Sequence, residues 1–136
     1  MRTCFVATVL ICVSCITTNA VRLDESIALA PICPAGVRVF TDSSKVGQPY
    51  QEIALIDSKG DDEMTGESGM LQSEKRKAAD LGANGLILGV MQGASTGAKV
   101  WHALLWTKAD RKAKATAIYI AADSLRVRTA CREEIQ

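Results

Sequence analysis

Between residues 71 and 91 the chain changes its period. Leu71, Ala78 and Leu81 lie within one helical stripe, and Glu74, Lys75, Arg76, Lys77 and Asp80 supply a polar surface beside it. Gly82 then offers a left-handed stop, because a residue without Cβ takes positive φ without strain. After Asn84 and Gly85, the run Leu86-Ile87-Leu88-Gly89-Val90-Met91 has no polar side chain. That is the pattern of a strand at the centre of a sheet. In this reading Leu81 closes the helix onto the sheet, Gly82 reverses the chain, and Asn84-Gly85 launches the strand. The helix start falls between residues 62 and 68. The acidic run Asp61-Asp62-Glu63 suits the positive end of a helix dipole there, and equally offers oxygen ligands to a hard cation, though no alternating ligand loop follows.

The remaining elements follow from alternation and turn chemistry. Val37, Val39 and Phe40 give a short β-like run, ended by Thr41-Asp42-Ser43-Ser44. From Tyr50 to Ser58, Ile53 and Leu55 share one face while Ala54 and Ile56 share the other, which reads as a strand buried on most of both faces. Residues 114 to 122 form the last strand. The expected class is α+β: a single small sheet in β-β-α-β-β order, one main helix packed on one face, and an insertion before the last strand. Residues 21–34 read as a linker in which Pro31 and Pro34 bracket Cys33, residues 35–123 as the domain, and residues 124–136 as a charged tail.

The N-terminus is a leader. Arg2 precedes an apolar stretch from Cys4 to Ile16, and Thr18 and Ala20 place small residues where a signal peptidase reads. Residues 1–20 are then a signal peptide. In the other processing, Cys12-Val13-Ser14-Cys15 resembles a lipobox, residues 1–14 are removed, and Cys15 is the lipidated first residue. The apolar stretch is short for a membrane span, which needs about 20 residues. No later segment qualifies, so the mature chain is expected to have no transmembrane helix. Either cut leaves Cys33 and Cys131 in the mature chain. In an oxidising compartment an even pair reads as a disulfide that ties the domain's ends, the alternative being two free thiols.

Little in the sequence points to chemistry on a substrate. Arg2 falls within the leader, which leaves 15 basic residues against 15 acidic ones. That balance, with aromatics at 4%, argues against a nucleic-acid partner. The densest basic group, Lys108, Arg111, Lys112 and Lys114, reads as a solvated face. His102 is the lone histidine, without a second ligand or nucleophile in any motif around it. The glycines at 89, 93 and 97 lack the Gly-Lys-Ser/Thr ending of a phosphate loop. No metal site and no cofactor is expected. Trp101, His102, Leu105 and Trp106, with Leu104, are the candidate interaction surface: exposed, they contact a partner or a membrane, and buried, they are core or a seam between copies.

The stretch from Tyr50 to Ala121 resembles small bacterial envelope proteins of unknown function, whose mark here reads Ala78-Ala79-Asp80-Leu81-Gly82-Ala83-Asn84-Gly85-Leu86-Ile87-Leu88. It is similar to the YbjQ-type family, described as heavy-metal-binding, and to the outer-membrane lipoprotein of the Rcs phosphorelay. The resemblance implies an envelope location, in the periplasm or at the outer membrane, and a metal- or small-ligand-binding module as one function. The Rcs lipoprotein relies on two disulfides, whereas Cys33 and Cys131 allow one. A soft-metal site needs clustered thiolates or imidazoles, which one histidine and two distant cysteines do not supply. The leading expectation is a non-enzymatic exported envelope protein, lipid-anchored in the Cys15 processing, that binds a protein partner or forms homo-oligomers.

Overall fold

The structure, a computed structural model, describes residues 16–61, 66–89 and 110–134. The described strands are β1 (Thr17–Arg22), β2 (Arg38–Phe40), β3 (Gln51–Asp61), β4 (Gly85–Leu88) and β5 (Asp110–Tyr119). They form a single sheet in the order β1-β3-β5-β4-β2. β2 and β4 run parallel, and the other neighbours are antiparallel. The main helix α1 (Glu67–Asp80) lies on one face, and another described helix, α2 (Ser124–Glu133), follows β5. This is the α+β architecture the sequence predicts, with residues 89–109 inserted before the last strand.

Two elements extend the expected β-β-α-β-β order. Residues 17–22, read as leader and linker, are edge strand β1, paired with β3 from Thr17↔Lys59 to Arg22↔Ala54. Its sequence, Thr-Thr-Asn-Ala-Val-Arg, alternates polarity too weakly to announce a strand; pairing with β3 supplies what propensity does not. Residues 124–133, read as a charged tail, form α2. There Val127 is buried, Cys131 is tied down and Arg126 is half-buried at the same seam, while Arg128, Arg132 and Glu133 are exposed.

The core divides between the faces of the sheet. On the helix side Ile53, Ala54, Ile56, Leu86, Ala115 and Ala117 pack against Ala78, Ala79 and Ala83, with Ile27, Leu29 and Ile32 of the 23–33 segment over them. On the other side Phe40, Val46, Ile118 and Ile120 form a smaller cluster with Tyr50 and Ile87. A bulge between Glu52 and Ala54 shifts the register of β3. It turns both Ile53 and Ala54 into the main core and leaves Leu55, Asp57 and Lys59 exposed. β3 is therefore buried mainly on one face, where simple alternation predicted two. The helix is also rotated from the expected stripe: its fully buried line is Met70, Glu74 and Ala78, at i, i+4 and i+8, and Leu71 and Leu81 flank it half-buried.

Candidate functional site

The turn after α1 works as a structural joint. Leu81 caps the helix, its N–H reaching the carbonyls of Lys77 and Ala78. Gly82 has φ +77, and a Cβ there would run into Leu29 Cβ and come within 2.7 Å of the Ala30 carbonyl oxygen. The glycine thus serves both positive φ and the close passage of the 23–33 segment. Asn84 does more than launch β4. Its Nδ2 donates to the Ile120 carbonyl at 2.8 Å, and the Ile120 N–H donates to its Oδ1 at 2.8 Å. The side chain is 1% exposed, so it ties the end of β5 to the start of β4 from inside the core. Gly85 lets Ile118 and Phe40 close over the strand start; a Cβ there would lie 2.7 Å from Ile118 Cγ1.

The end of the domain is latched. Cys33 and Cys131 form a disulfide with Cα atoms 5.5 Å apart, across 98 residues of sequence. Arg126 donates through Nε to Asp123 Oδ2 at 2.7 Å and through Nη2 to the Gly36 carbonyl at 2.8 Å. Arg38 approaches the same carboxylate at 3.9 Å and lies 5.0 Å over the Phe40 ring. The disulfide and Arg126 together hold α2 against the turn at Pro34–Gly36.

At the opposite edge, β1 sits over a polar seam. The Ile16 side chain meets α1 where Gly69 leaves room, 3.4 Å from that residue's Cβ position. Thr18 Oγ1 and Ser73 Oγ share a 2.6 Å hydrogen bond, and Ala20 packs against the main core. Thr18 is also the cross-strand neighbour of Ser58. Ser58 Oγ donates to Glu74 Oε1 at 2.8 Å, and Glu74 is 1% exposed. Burial pushes the Glu74 carboxyl above its ordinary range; the Ser58 hydrogen bond opposes the shift, and the charge of Asp57 adds to it. The sequence reading put Glu74 on the polar surface. The Met70-Glu74-Ala78 spacing was the signal that places it inside.

The sheet face away from α1 carries Val21, 63% exposed, opposite Leu55, 45% exposed. Asp57 pairs with Lys114 at 3.7 Å, and Lys59 stands across from Lys112. A hollow of about 110 Å³ lies here among Leu55, Asp57, Gly89, Lys114 and Thr116. The basic group of the sequence is divided by β-alternation. Arg111 turns toward α1, where Glu67 lies 3.7 Å away, while Lys112 and Lys114 occupy the other face. Among the described residues no three His, Cys, Asp or Glu side chains converge, and no helix is long and apolar enough to cross a membrane. Cys15, Trp101, His102, Leu105 and Trp106 lie outside the described residues, as does Lys108. The start of β1 and the two ends of the 90–109 insertion fall at one end of the sheet, since Thr17 pairs with Lys59, Asp110 with Asp61, and the Gly89 N–H with the Lys114 carbonyl.

These features define a small α+β domain closed by a disulfide, with its main helix on one side of a mixed sheet. No protein-family model and no curated protein matches the chain. Its fold is similar to the crystal structure of FvfA, a Francisella virulence factor, with a TM-score of 0.54 at 12% identity over 75% of this chain and 96% of that one. At that identity the likeness carries the fold alone.

Proposed function

We propose that this chain is a non-enzymatic lipoprotein of the bacterial envelope, processed before Cys15 and held by acyl chains on that residue. It acts through a protein partner or through further copies of itself. The observation that supports the Cys15 cut is β1. A cut after Ala20 removes Thr17 to Ala20 from the six-residue strand, and with them the Thr18–Ser73 hydrogen bond and the Ala20 packing. A cut before Cys15 leaves all of these in place. The Cys33–Cys131 disulfide suits an oxidising compartment outside the cytoplasm. Stable anchoring takes more than one acyl chain, which a triacylated N-terminal cysteine provides.

Intact mass of the protein from membrane and soluble fractions of its own host tests this reading. The expected species starts at Cys15, carries acyl mass and sediments with membranes, and Cys15→Ser abolishes that mass. A soluble, lipid-free species starting at Val21 would overturn the anchor.

A further inference from the structure

We propose that β1 is a releasable strap between the anchor and the domain, held down over a buried carboxyl group, Glu74, whose charged form favours release. The tether role rests on the Cys15 anchor proposed above; the coupling to Glu74 does not.

The strap is lightly held. It is an edge strand, paired on one side by β3. Toward α1 it offers the Ile16 contact at Gly69, the Thr18–Ser73 hydrogen bond and the small Ala20 side chain, while Val21 and Arg22 are exposed. Edge elements with few apolar contacts open at lower free energy than the fold as a whole.

What the strap covers makes its release chargeable. Thr18 pairs across from Ser58 and bonds to Ser73, the residue preceding Glu74. It therefore roofs the Ser58–Glu74 pair. Ser58 Oγ is the only hydrogen-bond partner of the Glu74 carboxyl among the described residues. A carboxylate with one neutral donor and no cation is costly away from water. Lifting β1 admits water to it, so ionisation of Glu74 and release of the strap favour each other, and protonation favours docking.

The charged groups around this seat do not cancel the effect. Asp57 of β3 disfavours the charged form. Arg111 of β5, on the helix side of the sheet, is engaged with Glu67. Lys59 projects from the opposite face of β3, and Lys75 and Lys77 flank Glu74 on α1 itself. β1 carries no charge before Arg22. Once lifted, the six residues of β1 lengthen the tether by roughly 20 Å at full extension.

Hydrogen exchange of the full-length purified protein in detergent micelles, read at β1 amides between pH 4.5 and 8, tests the coupling. After correction for intrinsic exchange chemistry, the β1 opening equilibrium is expected to rise with pH by up to about tenfold per unit, the ceiling for one linked proton. Amides of α1 and β5 should open far more rarely than those of β1 at every pH, and Glu74→Gln should flatten the rise at β1. Ser58→Ala, which removes the donor to the carboxylate, should raise β1 opening further at neutral pH. The proposal is overturned by a pH-independent β1, by β1 amides that open no more readily than those of α1 and β5, by a wild-type profile in Glu74→Gln, or by no response to Ser58→Ala. The intact mass of the same sample reports acylation of Cys15. An unlipidated chain with a pH-coupled β1 would remove the tether role and leave the coupling standing.

Discussion

Glu74 and Asn84 are both polar, both 1% exposed, and opposite in effect. Asn84 is satisfied in both directions by one backbone residue, Ile120, so its amide works as a piece of extra sheet inside the core. Replacing it with Ala leaves the Ile120 N–H and carbonyl without their amide partners. The expected loss is about 2–4 kcal/mol in chemical denaturation, from two broken hydrogen bonds at buried groups. Glu74 has one donor, Ser58, and its buried carboxyl titrates above the ordinary value of 4.5. The folded value thus lies above the unfolded one. Its contribution to stability is present in full below the ordinary carboxylate range and is lost as pH rises through the raised value. Glu74→Gln keeps an acceptor for Ser58 and removes the charge. It is expected to raise stability by about 1–2 kcal/mol at neutral pH and to change it little near pH 4, read as paired melting curves. A wild-type protein whose stability climbs steadily from pH 4 to 7, with the variant following in parallel, would contradict this.

Among the elements, β1 and the turn after α1 carry the most consequence. A chain beginning at Val21 loses most of β1 and exposes the edge of β3, including the backbone that pairs with Thr17 to Ala20. It is expected to melt well below a chain beginning at Ile16, and to show faster exchange along residues 56–59. Equal melting of the two chains would mean that β1 contributes nothing to the fold and would weaken the case for processing at Cys15. At the turn, Gly82 combines φ +77 with a Cβ position already occupied by Leu29. Here the helix stop and the packing of the 23–33 segment are one requirement, which is why a single glycine serves both.

For the whole molecule the disulfide decides how the ends behave. Cys33 and Cys131 enclose the described elements from β2 to most of α2 and leave β1 outside. In the chain-entropy account, a loop near 100 residues raises stability by up to about 4–5 kcal/mol through its effect on the unfolded ensemble. Reduction, or Cys131→Ser, is expected to lower the melting temperature sharply. It should also loosen α2 first, since Arg126 would then be left as the main hold on Asp123 and Gly36. Loss of helical signal from α2 ahead of the main transition, followed by circular dichroism on the reduced protein, is the expected outcome. A reduced protein that unfolds at the same temperature and in one step would show that packing around Val127 suffices.

Sequence alone determined the features that depend on near neighbours. The stop at Gly82, the apolar strand after it, the helix before it, and the α+β class all follow from local period and backbone preference, and these survive in the folded chain. The cysteine pair was legible because only two of the five cysteines lie beyond residue 15. Tertiary structure decided the rest, wherever a residue's role is set by what lies far along the chain. The bulge at Glu52/Ala54 reassigned the faces of β3, so Leu55 is exposed where alternation made it core. Glu74 is buried where Ser58 of β3 meets it, a contact that the stripe drawn through Leu71, Ala78 and Leu81 passes over although the Met70-Glu74-Ala78 spacing points to it. β1 exists because β3 offers it an edge. Local patterning sets period and turns; burial and pairing between distant segments set which of those residues carry a charge into the interior and which strand holds the end of the chain down.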